Sequence, residues 1–291
     1  MKPQAVFLVL SSTFLHAAWN IMAKRGRNEG AFFLRMLEII FLIGLLPMAL
    51  AEGLRPSLPG RAWAYGVASG AWCGLYYTGL SRAYGSGDFS LVYPVARALP
   101  VLLVGIGDLL RGHNPTPVGW AGMSLVALGC ALMPLRSFRE FSPRIYLNRT
   151  LFWVLLTASG TVGYSILDKM ASELVPPGPG SAAKYGYIFF VSSGASFWLL
   201  GRALGKVDGR TTGVGWKLPL VGAALNFGAY WMVLWAYQMA SNAGYVVAFR
   251  QFSIVIGVAL APLLLGERDI GLRLVFSGIL TLGLVLISLW G

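Results

Sequence analysis

The sequence predicts an all-α integral membrane protein: ten transmembrane helices in two inverted five-helix repeats around a central cavity. Three observations carry this expectation. The 291 residues are 56% hydrophobic and 12% charged, with a mean hydropathy of +0.67, whereas a soluble domain needs about twice that charged fraction for its surface. Apolar runs recur at the ~20 residues that cross a ~30 Å hydrocarbon core. The second half of the chain also repeats features of the first at nearly constant spacing.

By length the spans fall at 4–23, 31–51, 62–84, 89–110, 117–135, 150–170, 185–203, 216–239, 243–265 and 271–290. The first has the outline of a signal peptide, with Lys2, an apolar run and Ala17-Ala18. Ser11, Ser12, Thr13 and His16 interrupt that run, however, and its features recur later, so it reads as a first membrane helix. None of the runs alternates with the two-residue period of a membrane strand. The breaks are charged or rich in Gly and Pro, as at Arg55 to Gly60, Gly112 to Pro115 and Pro176 to Gly180. The longest connection, 136–149, carries Arg136, Arg139, Arg144 and Arg149. It divides the chain into a first repeat, 1–135, a basic linker, and a second repeat, 150–291.

A shift of 153 residues superposes Trp63 on Trp216, Ala83-Tyr84 on Ala236-Tyr237, and Arg97 on Arg250. A shift of 145 superposes Trp19 on Tyr164, Ile21 on Ile166, and Lys24 on Lys169. Five spans per repeat is an odd number, so the second repeat must enter the membrane from the opposite side, the plan of many secondary transporters. The cations give an orientation. Lys2, Arg55, Arg61, Arg111 and Lys184 lie on the side of the termini, five of the 23 Lys and Arg. Thirteen lie on the other: Lys24, Arg25, Arg27, the four linker arginines, Arg202, Lys206, Arg210, Lys217, Arg268 and Arg273. The positive-inside rule then puts the 136–149 loop in the cytoplasm and both termini outside, in a plasma membrane of bacterial type.

Several segments in order give the chain a resemblance to a known family. They are Trp19-Asn20 with Lys24 at the end of the first span, Arg82 followed by Gly87 to Arg97 (Gly-Asp-Phe-Ser-Leu-Val-Tyr-Pro-Val-Ala-Arg), Leu265 to Arg268 before the tenth span, and glycine-spaced fifth and tenth spans. Through them the chain resembles the EamA-type ten-helix members of the drug/metabolite transporter superfamily, over nearly its whole length. The resemblance implies a central cavity lined by helices 1, 3, 4, 6, 8 and 9, and metabolite export or exchange. It also implies cytoplasmic termini, against the charge count.

A charge inside the bilayer needs a partner, water or a function. Arg97 and Arg250 each lie seven or eight residues into a span, about 5 Å from the midplane. Polar residues share one helical face in four spans: Ser12, His16, Asn20 and Lys24 in the first; Ser90, Tyr93, Arg97 and Asp108 in the fourth; Thr161, Tyr164 and Asp168 in the sixth; Asn226, Tyr230, Tyr237 and Ser241 in the eighth. Four such stripes point to one wet cavity. In it Arg97 and Arg250 form an anion-coordinating pair, since the guanidinium fork suits carboxylate or phosphate. Trp19, Tyr76, Tyr84, Tyr230, Trp231 and Tyr237 supply aromatic walls, and Asn20, Tyr93, Tyr164 and Asn226 complete the candidate substrate contacts. The competing reading gives each arginine to a nearby acid or to helix-end carbonyls, locking the repeats together. His16, Glu38, Asp108 and Asp168 are the candidate proton carriers, with Glu38 also placed to pair with Arg35 at i,i+3. Gly66, Gly70 and Gly74 form a close-packing ridge.

Other classes fit less well. The net charge of +12 sits in short loops rather than in a basic patch, so no nucleic-acid partner is expected. Cys73 and Cys130 fall in different spans and say nothing of a disulfide. Two histidines, no G-x-S-x-G, no H-E-x-x-H and no nucleotide loop leave an enzyme, a metal site or a cofactor unsupported. The expected partners are a small polar substrate, anionic or zwitterionic, and membrane lipid, in a monomer or homodimer whose seam is the fifth and tenth spans. A flippase of lipids or lipid-linked substrates is the alternative, ahead of a membrane-embedded enzyme.

Overall fold

The computed structural model of the chain describes residues 1–25, 28–86, 89–135, 150–204, 215–265 and 271–291. The arginine-rich loop of residues 136–149 lies outside them. Among the described residues the chain is helical throughout: α1 (Pro3–Arg25), α2 (Glu29–Leu54), α3 (Gly60–Ser86), α4 (Phe89–Leu110), α5 (Pro117–Leu132), α6 (Leu151–Ser172), α7 (Pro179–Ala203), α8 (Lys217–Tyr237), α9 (Ala243–Arg250), α10 (Phe252–Leu265) and α11 (Gly271–Trp290). Each of the ten expected spans is present, with the ninth broken at Gln251 into α9 and α10. Local chemistry sets several ends. The Asn28 side chain accepts from the Ala31 N–H at 3.0 Å, and the Thr116 hydroxyl from the Gly119 N–H at 2.9 Å. Pro117 and Pro179 open their helices, where a missing N–H costs nothing. Gly112, at φ 80°, turns the chain after α4.

Among the described residues, six stretches are long and apolar enough to cross a membrane by length and composition, including Gly30–Leu54, Ala243–Leu260 and Gly271–Trp290. Their outer faces expose large side chains such as Leu42, Leu46 and Leu50 on α2, Leu128 on α5, and Leu282 and Val285 on α11. A continuous apolar belt of this kind belongs against lipid rather than water. The chain is a multi-pass membrane protein.

The helices pack in pairs that exchange when the first five spans are swapped with the second five. α3 lies on α6 and α7, and its counterpart α8 lies on α1 and α2; α4 lies on α6, and α10 on α1. The pairs α2 with α7, α4 with α9, and α5 with α11 map onto themselves, as contacts along a twofold axis do. The glycine ridge on α3 is used as its spacing suggests. A Cβ on Gly70 would stand 2.7 Å from the Phe189 carbonyl oxygen, and one on Gly74 would stand 2.9 Å from the Phe197 nitrogen. α5 and α11 likewise spend their glycines on each other, with Gly122 against the Gly283 carbonyl.

The loops sort to two ends. Lys184 Nζ reaches the Arg55 carbonyl at 2.8 Å, Arg111 pairs with Glu173, and Thr116 Oγ1 donates to the carbonyl of Trp290 near the C-terminus at 2.8 Å. The other end joins the Arg35 guanidinium to the Trp216 ring, 4.0 Å from its centroid.

Candidate functional site

The break in the ninth span builds the centre of the molecule. Because α9 ends at Arg250, the Arg250 carbonyl is released from the helical ladder and needs other donors. Ser253 Oγ donates to it at 3.0 Å and Arg97 Nη2, from α4, at 2.9 Å. Arg97 also donates from Nε to Gln251 Oε1 at 2.6 Å, and its Nη1 stands 2.8 Å from His16 Nε2 on α1. Arg97 is therefore engaged with protein groups on three sides, and the two arginines are not an equivalent coordinating pair. Its contact with the Arg250 carbonyl is a helix-end contact.

Arg250 is placed differently. Its side chain is only 8% exposed. Nη2 donates to the Tyr164 hydroxyl at 3.3 Å, and the guanidinium carbon lies 5.2 Å and 5.7 Å from the ring centroids of Tyr230 and Tyr164. Nη1 is buried without a hydrogen-bond partner among the described residues. Arg250 also lines a small cavity, together with Ser12, Thr13, His16, Ala229, Tyr230 and Val233. The free volume is about 10 Å³, room for about one water. An unpaired donor on a buried cation is costly, so such groups concentrate where a ligand completes them.

Asp168, on α6, is the acid of this centre. Its Oδ1 accepts from Ser69 Oγ on α3 at 2.5 Å and from Tyr185 OH on α7 at 2.7 Å, while Oδ2 accepts from Tyr230 OH on α8. Four helices thus meet at one carboxylate. Tyr230 carries both charges, offering its ring to Arg250 and its hydroxyl to Asp168. Phe189 stacks on that ring at 4.5 Å and 24°, which fixes its plane. The described charges at the centre are two guanidiniums and one carboxylate, an excess of one positive charge.

His16 faces two donors, Arg97 Nη1 on Nε2 and Trp19 Nε1 on Nδ1 at 3.2 Å. A neutral imidazole offers one lone pair. The shorter, charge-assisted contact is the one at Nε2, and a proton there would face the Arg97 guanidinium.

The other expected site residues divide. Tyr76 and Tyr164 join the aromatic cluster edge to face, 6.0 Å apart. Asn226 Nδ2 donates to Tyr77 OH at 2.9 Å, and Asn20 Nδ2 to the His16 carbonyl at 2.7 Å. Tyr237 is fully buried, and its carbonyl accepts from Lys169 Nζ at 3.2 Å. Trp231 lies outside the cluster, stacked on Trp235 and donating to the Pro179 carbonyl at 2.8 Å. It occupies a different face of α8 from Asn226 and Tyr230. The side chains of Tyr84 and Tyr93 lie outside the described residues. Glu38 is 43% exposed and 3.7 Å from Arg35 Nε, the expected i,i+3 pair, away from the centre. Asp108 is also separate, accepting from the Gly244 N–H at 2.7 Å. It shares a face with Arg97, but eleven residues of rise, about 16 Å, part them. Polar partners that the expected set lacks include Gln251, Ser253, Ser69, Tyr77 and Tyr185.

The end of the bundle beside the termini is tied by a charged network. Glu173 pairs with Arg111 at 2.7 Å and Lys169 at 3.3 Å, and Lys169 Nζ also donates to the Ala240 carbonyl at 2.8 Å. Burial would raise the Glu173 pKa, but Lys169 and Arg111 outweigh it and hold the carboxyl below the usual carboxylate range.

Comparison with known proteins agrees with this architecture. An uncharacterized transporter in the cobO 3' region of Sinorhizobium sp is 27% identical over 132 residues, which span 44% of this chain and 94% of that protein. A solved structure described only as the crystal structure of a protein superposes with a TM-score of 0.70 at 16% identity, over 99% of each chain, and shares the fold. The profile of the EamA-like transporter family matches residues 3–135. That match covers α1 to α5, and the remaining helices repeat their packing, so the first half of the chain is similar to the EamA-like transporter family.

Proposed function

We propose that this transporter carries a small anionic or zwitterionic metabolite, of the amino acid or organic phosphate type, and binds its acidic group at Arg250. The observation that carries the reading is the buried guanidinium of Arg250, with Nη1 unpaired at a cavity whose described charges sum to one positive. A carboxylate or phosphate oxygen at Nη1 would neutralise that excess and form a charge-assisted hydrogen bond. Tyr164 and Tyr230 would pack against the rest of the substrate. A cavity with room for about one water is too small to hold a metabolite, so binding requires the helices around it to part. In alternating access between the repeats, the Arg111–Glu173–Lys169 network would be the closed gate on the side of the termini. Its rupture would open the site there. If transport is proton-coupled, Asp168 is the acid placed to sense the substrate, because Tyr230 links it to Arg250. The positive-inside count puts the 136–149 loop in the cytoplasm and the gate outside.

The test is counterflow in proteoliposomes across amino acids, organic phosphates, phosphonates and organic amines. Accumulation of one or more acidic or zwitterionic compounds, competed by its analogues, is expected. Counterflow confined to amines would overturn the anionic reading. Movement of lipid between leaflets with no soluble substrate would favour a flippase.

A further inference from the structure

We propose that the crevice between α2, α7 and α8 holds one acyl chain of an anionic glycerophospholipid, with its phosphate over the end marked by Lys184 and Arg55. The crevice is about 600 Å³, within the ~300–1,000 Å³ of ordinary ligand sites, and its lining is almost wholly apolar. It opens beside the exposed leucines of α2, so whatever fills it comes from the hydrocarbon phase. Along α2 it runs from Ile39, near the helix middle, to Ala51, close to the end of the helix at Leu54. Twelve residue steps make about 18 Å, against roughly 15 Å for one leaflet of a ~30 Å core. On α8 the lining reaches Leu220, three residues into that helix, so the groove starts at the interface, continues past the middle of the bundle, and has length enough for an acyl chain lying along the membrane normal.

Its interfacial end is charged. Lys184 Nζ donates to Glu52 Oε2 at 2.7 Å, Ser57 Oγ at 2.9 Å and the carbonyls of Ala51 and Arg55. Lys184 and Glu52 cancel, which leaves the exposed Arg55 as the net charge there. A positive mouth on an apolar groove complements a phosphate that carries a fatty chain. The occupant does not reach the central cavity. Phe227 lines the crevice, and behind it Phe190 lies 5.6 Å from Phe227 and 6.0 Å from Tyr230, an aromatic wall between the two sites.

The test is native mass spectrometry of the detergent-purified protein with added phosphatidylglycerol. A single-lipid adduct is expected, lost in Ala224→Phe and independently in Ala183→Leu, which both fill the crevice. Arg55→Gln should weaken the phosphatidylglycerol adduct about fivefold and leave that of phosphatidylcholine with the same chains unchanged. Substrate affinity at Arg250 should survive all three changes, so the outcome is independent of the transport reading. An adduct retained in both filled variants, no adduct in the wild type, or a dimer mass without lipid would each overturn the proposal.

Discussion

Replacing each central arginine in turn should separate binding from architecture. Arg250→Gln removes a guanidinium with one weak donor contact, to Tyr164 at 3.3 Å, and an unpaired Nη1. Asp168 keeps its three hydroxyl donors, so the change strands no carboxylate. Thermal stability in detergent should fall by about 1 kcal/mol, from loss of the guanidinium over the Tyr164 and Tyr230 rings. Substrate affinity should fall on the order of ten- to hundredfold, because a hydrogen bond to a charged group contributes roughly 1.5–3 kcal/mol. Arg97→Gln behaves in the opposite way. It strips donors from Gln251 Oε1, His16 Nε2 and the Arg250 carbonyl, of which the carbonyl retains Ser253. Glutamine can restore one of the others, which leaves a buried acceptor unpaired at a cost of ~1–3 kcal/mol. Melting followed by tryptophan fluorescence, alongside isothermal titration with the strongest counterflow substrate, reads both quantities. Unchanged affinity in Arg250→Gln, together with a stability loss as large as that of Arg97→Gln, would refute the assignment.

Four further changes test other parts of the protein. Because the folded-state pKa of Glu173 is depressed, its stabilising effect should be complete above the unfolded carboxyl pKa of about 4.3 and vanish as pH falls through the folded value. The melting difference between wild type and Glu173→Gln should therefore be full at neutral pH and absent in strong acid. Gly70→Ala forces a Cβ onto the backbone of α7 and should cost about 1–3 kcal/mol. Gly53→Ala, near the end of α2 with nothing within 4 Å, should instead stabilise by about 0.4–1 kcal/mol in the same melts. Arg144→Cys should resist an impermeant thiol reagent in intact cells and react in inverted vesicles; ready labelling from outside would reverse the orientation.

The spans, the paired halves and the α3 glycine ridge were legible because apolar length and three- to four-residue spacing are written along one helix. The distinction between the arginines was not. Arg97 and Arg250 occupy matching positions of the two halves, and only the helix break at Gln251 makes one a cap for the other's carbonyl. Nothing in the apolar run from 243 to 265 announces that break. Helical periodicity also reports the direction of a side chain but not its depth, which is why Asp108 was grouped with Arg97. Trp231 was misplaced for the complementary reason, since an aromatic residue one position from Tyr230 points elsewhere on α8. Ser69 and Tyr185 gave no separate signal, one hidden within the glycine ridge and the other at the start of an apolar span.

The glycines also make the two sides of the molecule mechanically unequal. Where α3 meets α6 and α7, main chain touches main chain: a Cβ on Gly70 or Gly160 would strike backbone atoms at 2.7–2.8 Å. Main-chain contacts that close leave little room for rearrangement, and such a seam moves as a slab. The counterpart seam, where α8 meets α1 and α2, is filled by deformable groups, the Phe32 ring against Gly222 and Leu15 against Gly228. Rotamer changes there cost little backbone distortion. Any motion that exposes Arg250 should therefore pivot on the stiff slab and be absorbed by the compliant side, so distance changes between spin labels should concentrate across α8 with α1 and α2 and stay small between α3 and α7.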